Sequence, residues 1–190
     1  MKNIFSIIAI AVSGMAFSQV IIGDKVGTVP AGQKQSVLLE FEQGKNKGII
    51  LPYVRTMPSG IGFVEGTIVL DATTPTKARV KYYNGLITSD SPDGWVDLSS
   101  GHDADITAEM GIQPTVTEDA TAKVIIGDSS SAANGVLVLE SDSKAMVLPM
   151  VEDTDDVPDP APGMMVYINK AGAKRLAVYN GGGWTYWKPE

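Results

Sequence analysis

The 190-residue sequence predicts an all-β fold of two related small β modules, a tandem internal repeat joined by an acidic linker. Three observations predict it. An ordered set of landmarks occurs twice; the apolar runs are short, rich in Val and Ile and bounded by Gly, Pro, Asn or Asp; and helical periodicity is sustained nowhere. Composition agrees, because twenty glycines and eleven prolines against four phenylalanines suit many short elements joined by turns.

At the N-terminus, Lys2 gives a positive end, residues 4–12 an apolar stretch, and Ala16-Phe17-Ser18 places small residues where a signal peptidase reads. Residues 1–18 are therefore expected to be a signal peptide, cleaved before Gln19. The stretch is shorter than the roughly 20 apolar residues that span a bilayer. Export is the expectation, to the cell surface, the extracellular medium or the periplasm.

Module 1 covers residues 19–98 and module 2 residues 124–190. Val20-Ile21-Ile22-Gly23-Asp24 recurs as Val124-Ile125-Ile126-Gly127-Asp128. An apolar run ending in glutamate follows each, Val37-Leu38-Leu39-Glu40 and Leu137-Val138-Leu139-Glu140. Next comes a run closed by proline, Ile49-Ile50-Leu51-Pro52 against Met146-Val147-Leu148-Pro149. Fourteen positions after each proline a glycine opens another run, Gly66-Thr67-Ile68-Val69-Leu70 and Gly163-Met164-Met165-Val166-Tyr167. Tyr83-Asn84-Gly85 then answers Tyr179-Asn180-Gly181, and Gly94-Trp95 answers Gly183-Trp184. Length differences fall in stretches rich in turn formers, where a duplicated β unit tolerates insertion.

Residues 99–123 are acidic, polar and punctuated by Gly and Pro, and read as the linker, with a short helical turn around residues 105–110. In module 2, residues 164–168 are apolar at every position, so this strand is expected at the centre of its sheet with both faces covered. Residues 170–174 form a hairpin connection, and Asn180-Gly181-Gly182-Gly183 turns the chain into the last strand. Units of about seventy residues without disulfides bury too little surface to stand alone. Each is expected to lean on its sibling or on a partner chain.

Module 2, through Val147-Leu148-Pro149, Pro160-Ala161-Pro162-Gly163, Met165-Val166-Tyr167, Tyr179-Asn180-Gly181 and Trp184, resembles a pattern of secreted Bacteroidota surface proteins and of some phage tail-fibre-like proteins. Module 1 departs from it, with Phe63-Val64-Glu65-Gly66 lacking the leading proline and Leu70 in place of tyrosine. The resemblance implies a non-enzymatic cell-surface protein working by protein–protein contact, an accessory subunit of a larger adhesin or secretion component in gliding motility or type IX secretion. It also leaves open a carbohydrate-binding module and a tail-fibre-like homotrimer.

The composition removes several function classes. A formal charge of -7 opposes nucleic-acid binding, which needs a basic patch. Zero cysteines exclude thiol catalysis and disulfides, and His102 alone makes no triad. No Gly-x-Ser-x-Gly elbow or phosphate loop is present, so no cofactor and no enzymatic activity are expected. The acidic loop with Asp153, Asp155, Asp156 and Asp159, like Asp103, Asp105 and Glu109, fits no standard calcium spacing and reads as solvated. Candidate partner- or glycan-binding residues are Trp187, Tyr186, Trp184 and Trp95. Trp184 and Tyr186 alternate onto one strand face and Trp187 onto the other, so all three cannot serve one core. Trp184 and Trp95 also suit a second role, capping their small cores.

Overall fold

The computed structural model describes residues 19–23, 27–60, 63–113, 119 and 121–187. The expected signal peptide lies outside the described residues. The chain is all-β. Seven strands precede one short helix and seven follow it among the described residues.

The first seven are β1 (Val20–Ile22), β2 (Val37–Phe41), β3 (Ile49–Ile50), β4 (Tyr53–Val54), β5 (Ile68–Asp71), β6 (Arg79–Tyr83) and β7 (Trp95–Asp97). After helix α1 (Thr107–Ile112) come β8 (Val124–Ile126), β9 (Leu137–Leu139), β10 (Ala145–Met146), β11 (Met150–Val151), β12 (Met164–Ile168), β13 (Arg175–Tyr179) and β14 (Trp184–Trp187). Each apolar landmark contributes residues to a strand, and loops and turns join the strands.

β4–β7 form a four-stranded sheet in chain order, and β11–β14 form the matching one. The landmark alignment carries Tyr53 to Met150, Leu70 to Tyr167, Val80 to Leu176 and Trp95 to Trp184. Under it, Tyr53 opposite Leu70 becomes Met150 opposite Tyr167, Leu70 opposite Val80 becomes Tyr167 opposite Leu176, and Tyr83 opposite Trp95 becomes Tyr179 opposite Trp184. The rest of the register coincides too. Gly66 and Gly163, which open β5 and β12, both take a positive φ, of 88° and 77°, a conformation that costs a side-chain-bearing residue.

The parallel pairs β1–β2 and β8–β9 coincide less closely. Val20 lies opposite Leu39, but Val124 lies opposite Leu137, a slide of two positions that keeps every side chain on its face.

Two short strands cross between the halves. β3 joins the second-half sheet, antiparallel to β12, with Ile50 opposite Met164 and Ile49 opposite Met165; the Leu51 N–H donates to the Gly163 carbonyl at 3.0 Å. In return β10 lies parallel to β2, and the Val147 N–H donates to the Leu39 carbonyl at 2.8 Å. Each half thus completes a sheet of the other.

The main core holds residues of both halves, with Leu70, Ala72, Val80 and Leu98 from one side and Met165 and Val178 from the other. Residues 99–113, expected as linker, are part of it. Ala104, Ile106 and Met110 are buried there, and Ala78 and Ala104 form a β-bridge. Three apolar side chains spaced among Gly, Asp and Glu do not reveal this burial locally; the bridge to Ala78 creates it. His102 is exposed, as expected, and the helix starts at Thr107.

β12 sits at the centre of its sheet. Met165 faces the main core, while Met164, Val166 and Ile168 face a second cluster with Val151, Val157 and Ala177. Both faces are covered, as the unbroken apolar run predicts.

Candidate interaction surface

The four aromatic candidates fall into three environments. Trp95, opposite Tyr83 on the neighbouring strand, is only 7% exposed and stacks on Phe63 at 5.3 Å, with the Tyr83 ring 5.5 Å away. It is buried in an aromatic cluster on the face of its sheet that carries Lys81 and Asp97, outside the main core. Trp184 has the same place in the second half, half-buried beside Tyr179 with ring centroids 5.3 Å apart.

Tyr186 and Trp187 are more open, at 44% and 38%. Strand alternation puts Tyr186 on the face of the second cluster, where its hydroxyl meets Thr154 Oγ1 at 3.0 Å and the Arg175 guanidinium lies 4.7 Å over its ring. Trp187 turns the other way with Thr185. The indole N–H and the Thr185 hydroxyl both donate to the Leu98 carbonyl, at 2.9 and 2.6 Å, tying β14 to the end of β7. The four rings are not gathered into one surface.

The acidic loop closes over the second cluster. Thr154 and Val157 are buried beneath it, and Asp153 accepts from the Asp155 N–H and pairs with Lys170 at 3.3 Å. The Asp155 N–H, then Lys170, hold the Asp153 carboxyl below the usual range. Among the described residues no group of three or more Asp, Glu or His side chains is placed to hold a metal ion. A cleft of about 630 Å³ borders Leu38, Gly127 and residues 140–144, open to solvent and lined mainly by polar groups.

Sequence reading missed a different surface, made of strand edges. β2 is flanked by β1 on one side and β10 on the other, and Val37, Leu38 and Leu39 are 4%, 1% and 0% exposed. β9, its counterpart, has β8 on one side and no strand on the other among the described residues. Leu137 is 43% exposed, Val136 55% and Val124 57%.

The same asymmetry recurs at β5. β12 carries β11 and β3 end to end along one edge, whereas among the described residues β5 carries only β4 on the matching edge. The Leu70 N–H bonds to Pro52 on the β4 side, so the backbone groups of Ile68, two residues earlier, face the vacant stretch of that edge. Its counterpart Met165 faces Ile49. The recurring sequence landmarks carried the signal: two halves that share strands between them leave two corresponding edges unmatched among the described residues.

Comparison with curated proteins and with solved structures gave no match. Residues 125–189, which contain β9–β14 and all but the first residue of β8, match the family model described as phage tail like trimerisation region, and so side with the tail-fibre-like part of the resemblance.

Proposed function

We propose that the chain is a non-enzymatic, fibre-like structural protein that works as a homotrimer, with residues 125–189 as its trimerisation unit. The observation that carries this reading is the match of those residues to a trimerisation family model. Open strand edges with exposed Val124, Val136 and Leu137 support it, since unpaired edges are the usual templates for pairing with another chain. The coincident registers of β4–β7 and β11–β14 support the ancestral duplication that belongs to the same reading. Export directed by residues 1–18 is part of the same proposal.

The comparisons lend no support to an accessory role beside an adhesin, in gliding or in type IX secretion. A glycan surface has less support as well, because Trp95 is stacked within its own half and Trp187 is anchored on Leu98. Light scattering on residues 19–190 is expected to give three times the chain mass. A monomer throughout a dilution series would overturn the proposal.

A further inference from the structure

Strand pairings between the halves follow one rule. The third strand of the later half pairs with the second strand of the earlier half, as β10 does with β2. The third strand of the earlier half pairs with the fifth strand of the later one, as β3 does with β12. Each of these two-residue strands uses one edge and keeps the other free among the described residues. The open edges of β9 and β5 are the two acceptors that the rule leaves over. Donors and acceptors therefore match in number and type, but they stand at opposite ends of the repeat order.

We propose that a second copy of this chain docks head to tail and repeats the internal contact between chains. Its β3 lies along β9 of the first copy, and β10 of the first copy lies along its β5. The pairing of β10 with β2 sets the register: Met146 opposite Leu39 translates to Ile49 of one copy opposite Leu139 of the other. The pairing of β3 with β12 places Met146 of the first copy opposite Ile68 of the second.

The apolar surface argues for this occupant. Leu137 is 43% exposed where its counterpart Val37 is 4%, and among the described residues β2, unlike β9, carries a second neighbouring strand. Ile50, on the donor strand, is 54% exposed. A head-to-tail contact is heterologous and forms a ring only where its rotation closes, and closure at three copies joins this docking to the trimeric reading on which it rests.

The chain has no cysteine, so introduced thiols report cleanly. Chains carrying Ile49→Cys are co-expressed with chains carrying Leu139→Cys, oxidised, and resolved without reductant. The expected product is a disulfide between positions 49 and 139 of different chains, formed from the mixture and from neither variant alone. A trimer by light scattering without that bond, or one in which Met146→Cys chains cross-link to Leu139→Cys chains instead, overturns the docking and leaves the trimeric reading standing. A monomer overturns both. Leu137→Lys supplies the second readout. Its side chain is already open in the single chain, so the far-UV spectrum should be kept while the concentration for half-assembly rises at least about tenfold, roughly 1.4 kcal/mol. Assembly at the wild-type concentration would equally overturn the docking.

Discussion

The β4–β7 and β11–β14 sheets pair equivalent positions across equivalent strands, and they turn their outward faces to different surroundings. On the first, Arg79 bridges Asp97 at 3.1 Å and Asp103 at 2.7 Å, and Lys81 bonds Asp71 at 2.8 Å. On the second, Ile168 and Ala177 stand where Asp71 and Lys81 do, and the acidic loop lies over them. The inward faces, Leu70 and Val80 against Met165 and Val178, meet in one core. Register therefore rests on features common to both sheets, the turn glycines and the inward alternation of apolar residues, while the outward positions are free to become ion pairs or a second core.

The second difference lies in what covers β2 and β9, and the largest expected mutational effect breaks it open. Leu39→Ala should cost about 2–5 kcal/mol, the range for deleting a fully buried leucine. Leu139, half-buried in the single chain, should lose about 1 kcal/mol as alanine when the chain is diluted to monomer, with the gap narrowing where chains assemble. Urea unfolding at low and high protein concentration measures both. Equal losses at high dilution would show that β9 is covered within one chain.

The matched turns after β6 and β13 give the next comparison. Asn180 is 2% exposed; its amide donates to the His102 carbonyl at 2.7 Å and accepts from the Gly182 and Gly183 N–H groups. Asn84, its counterpart, accepts from the Leu86 N–H at 3.0 Å on the surface. Asn180→Ala should cost about 2–3 kcal/mol, because it leaves buried groups unpaired, and Asn84→Ala about 0.5–1 kcal/mol. Thermal melts of the pair test this ranking, and a reversal would mean that the His102 segment is held by other contacts.

Glu40 and Glu140 sharpen the comparison further. The fully buried Glu40 carboxylate accepts from Gln19 Nε2 at 2.6 Å, the Val29 N–H at 2.8 Å and Lys34 Nζ at 3.1 Å. Removing it should cost about 2 kcal/mol, against about 0.5 kcal/mol or less for Glu140→Ala. Denaturant midpoints would show it directly, and similar shifts for the two variants would count against the buried network.

Strands, turns and the central place of β12 were legible in the sequence because each is a local pattern: a Val/Ile run, an Asn-Gly turn, an unbroken apolar stretch. Exchange of β3 and β10 was not, since a strand of two residues has no periodicity and its partner is chosen by what lies across the fold. Ala104, Ile106 and Met110 were hidden for a related reason, as their burial depends on Ala78, distant in sequence. The aromatic candidates were correctly divided between two strand faces, yet alternation says nothing of what waits on either face. Leu98 and Thr154, which engage Trp187 and Tyr186, come from elsewhere in the chain.

The smallest effect concerns the outward faces and is read in acid. Burial opposes ionisation of Asp71, but Lys81 and the hydroxyl and N–H of Thr73 together outweigh it, so the folded-state pKa lies below the ordinary 3.8. A carboxyl whose pKa is depressed by folding adds stability that is complete above the unfolded value and is lost as pH falls toward the folded one. Stability should therefore decline as pH drops below about 4, and Asp71→Asn should flatten part of that decline while slightly lowering stability at neutral pH. Exposed Asp105, Asp119, Asp128 and Asp153 shift the same way through local hydrogen bonds, so the decline should shrink without vanishing. The second half has Ile168 at the matching position, and Ile168→Val should leave the acid limb unchanged at whatever cost it brings to the core. If Asp71→Asn leaves the acid limb of the stability profile untouched, the Asp71–Lys81 pair contributes nothing that the apolar face of the other sheet lacks.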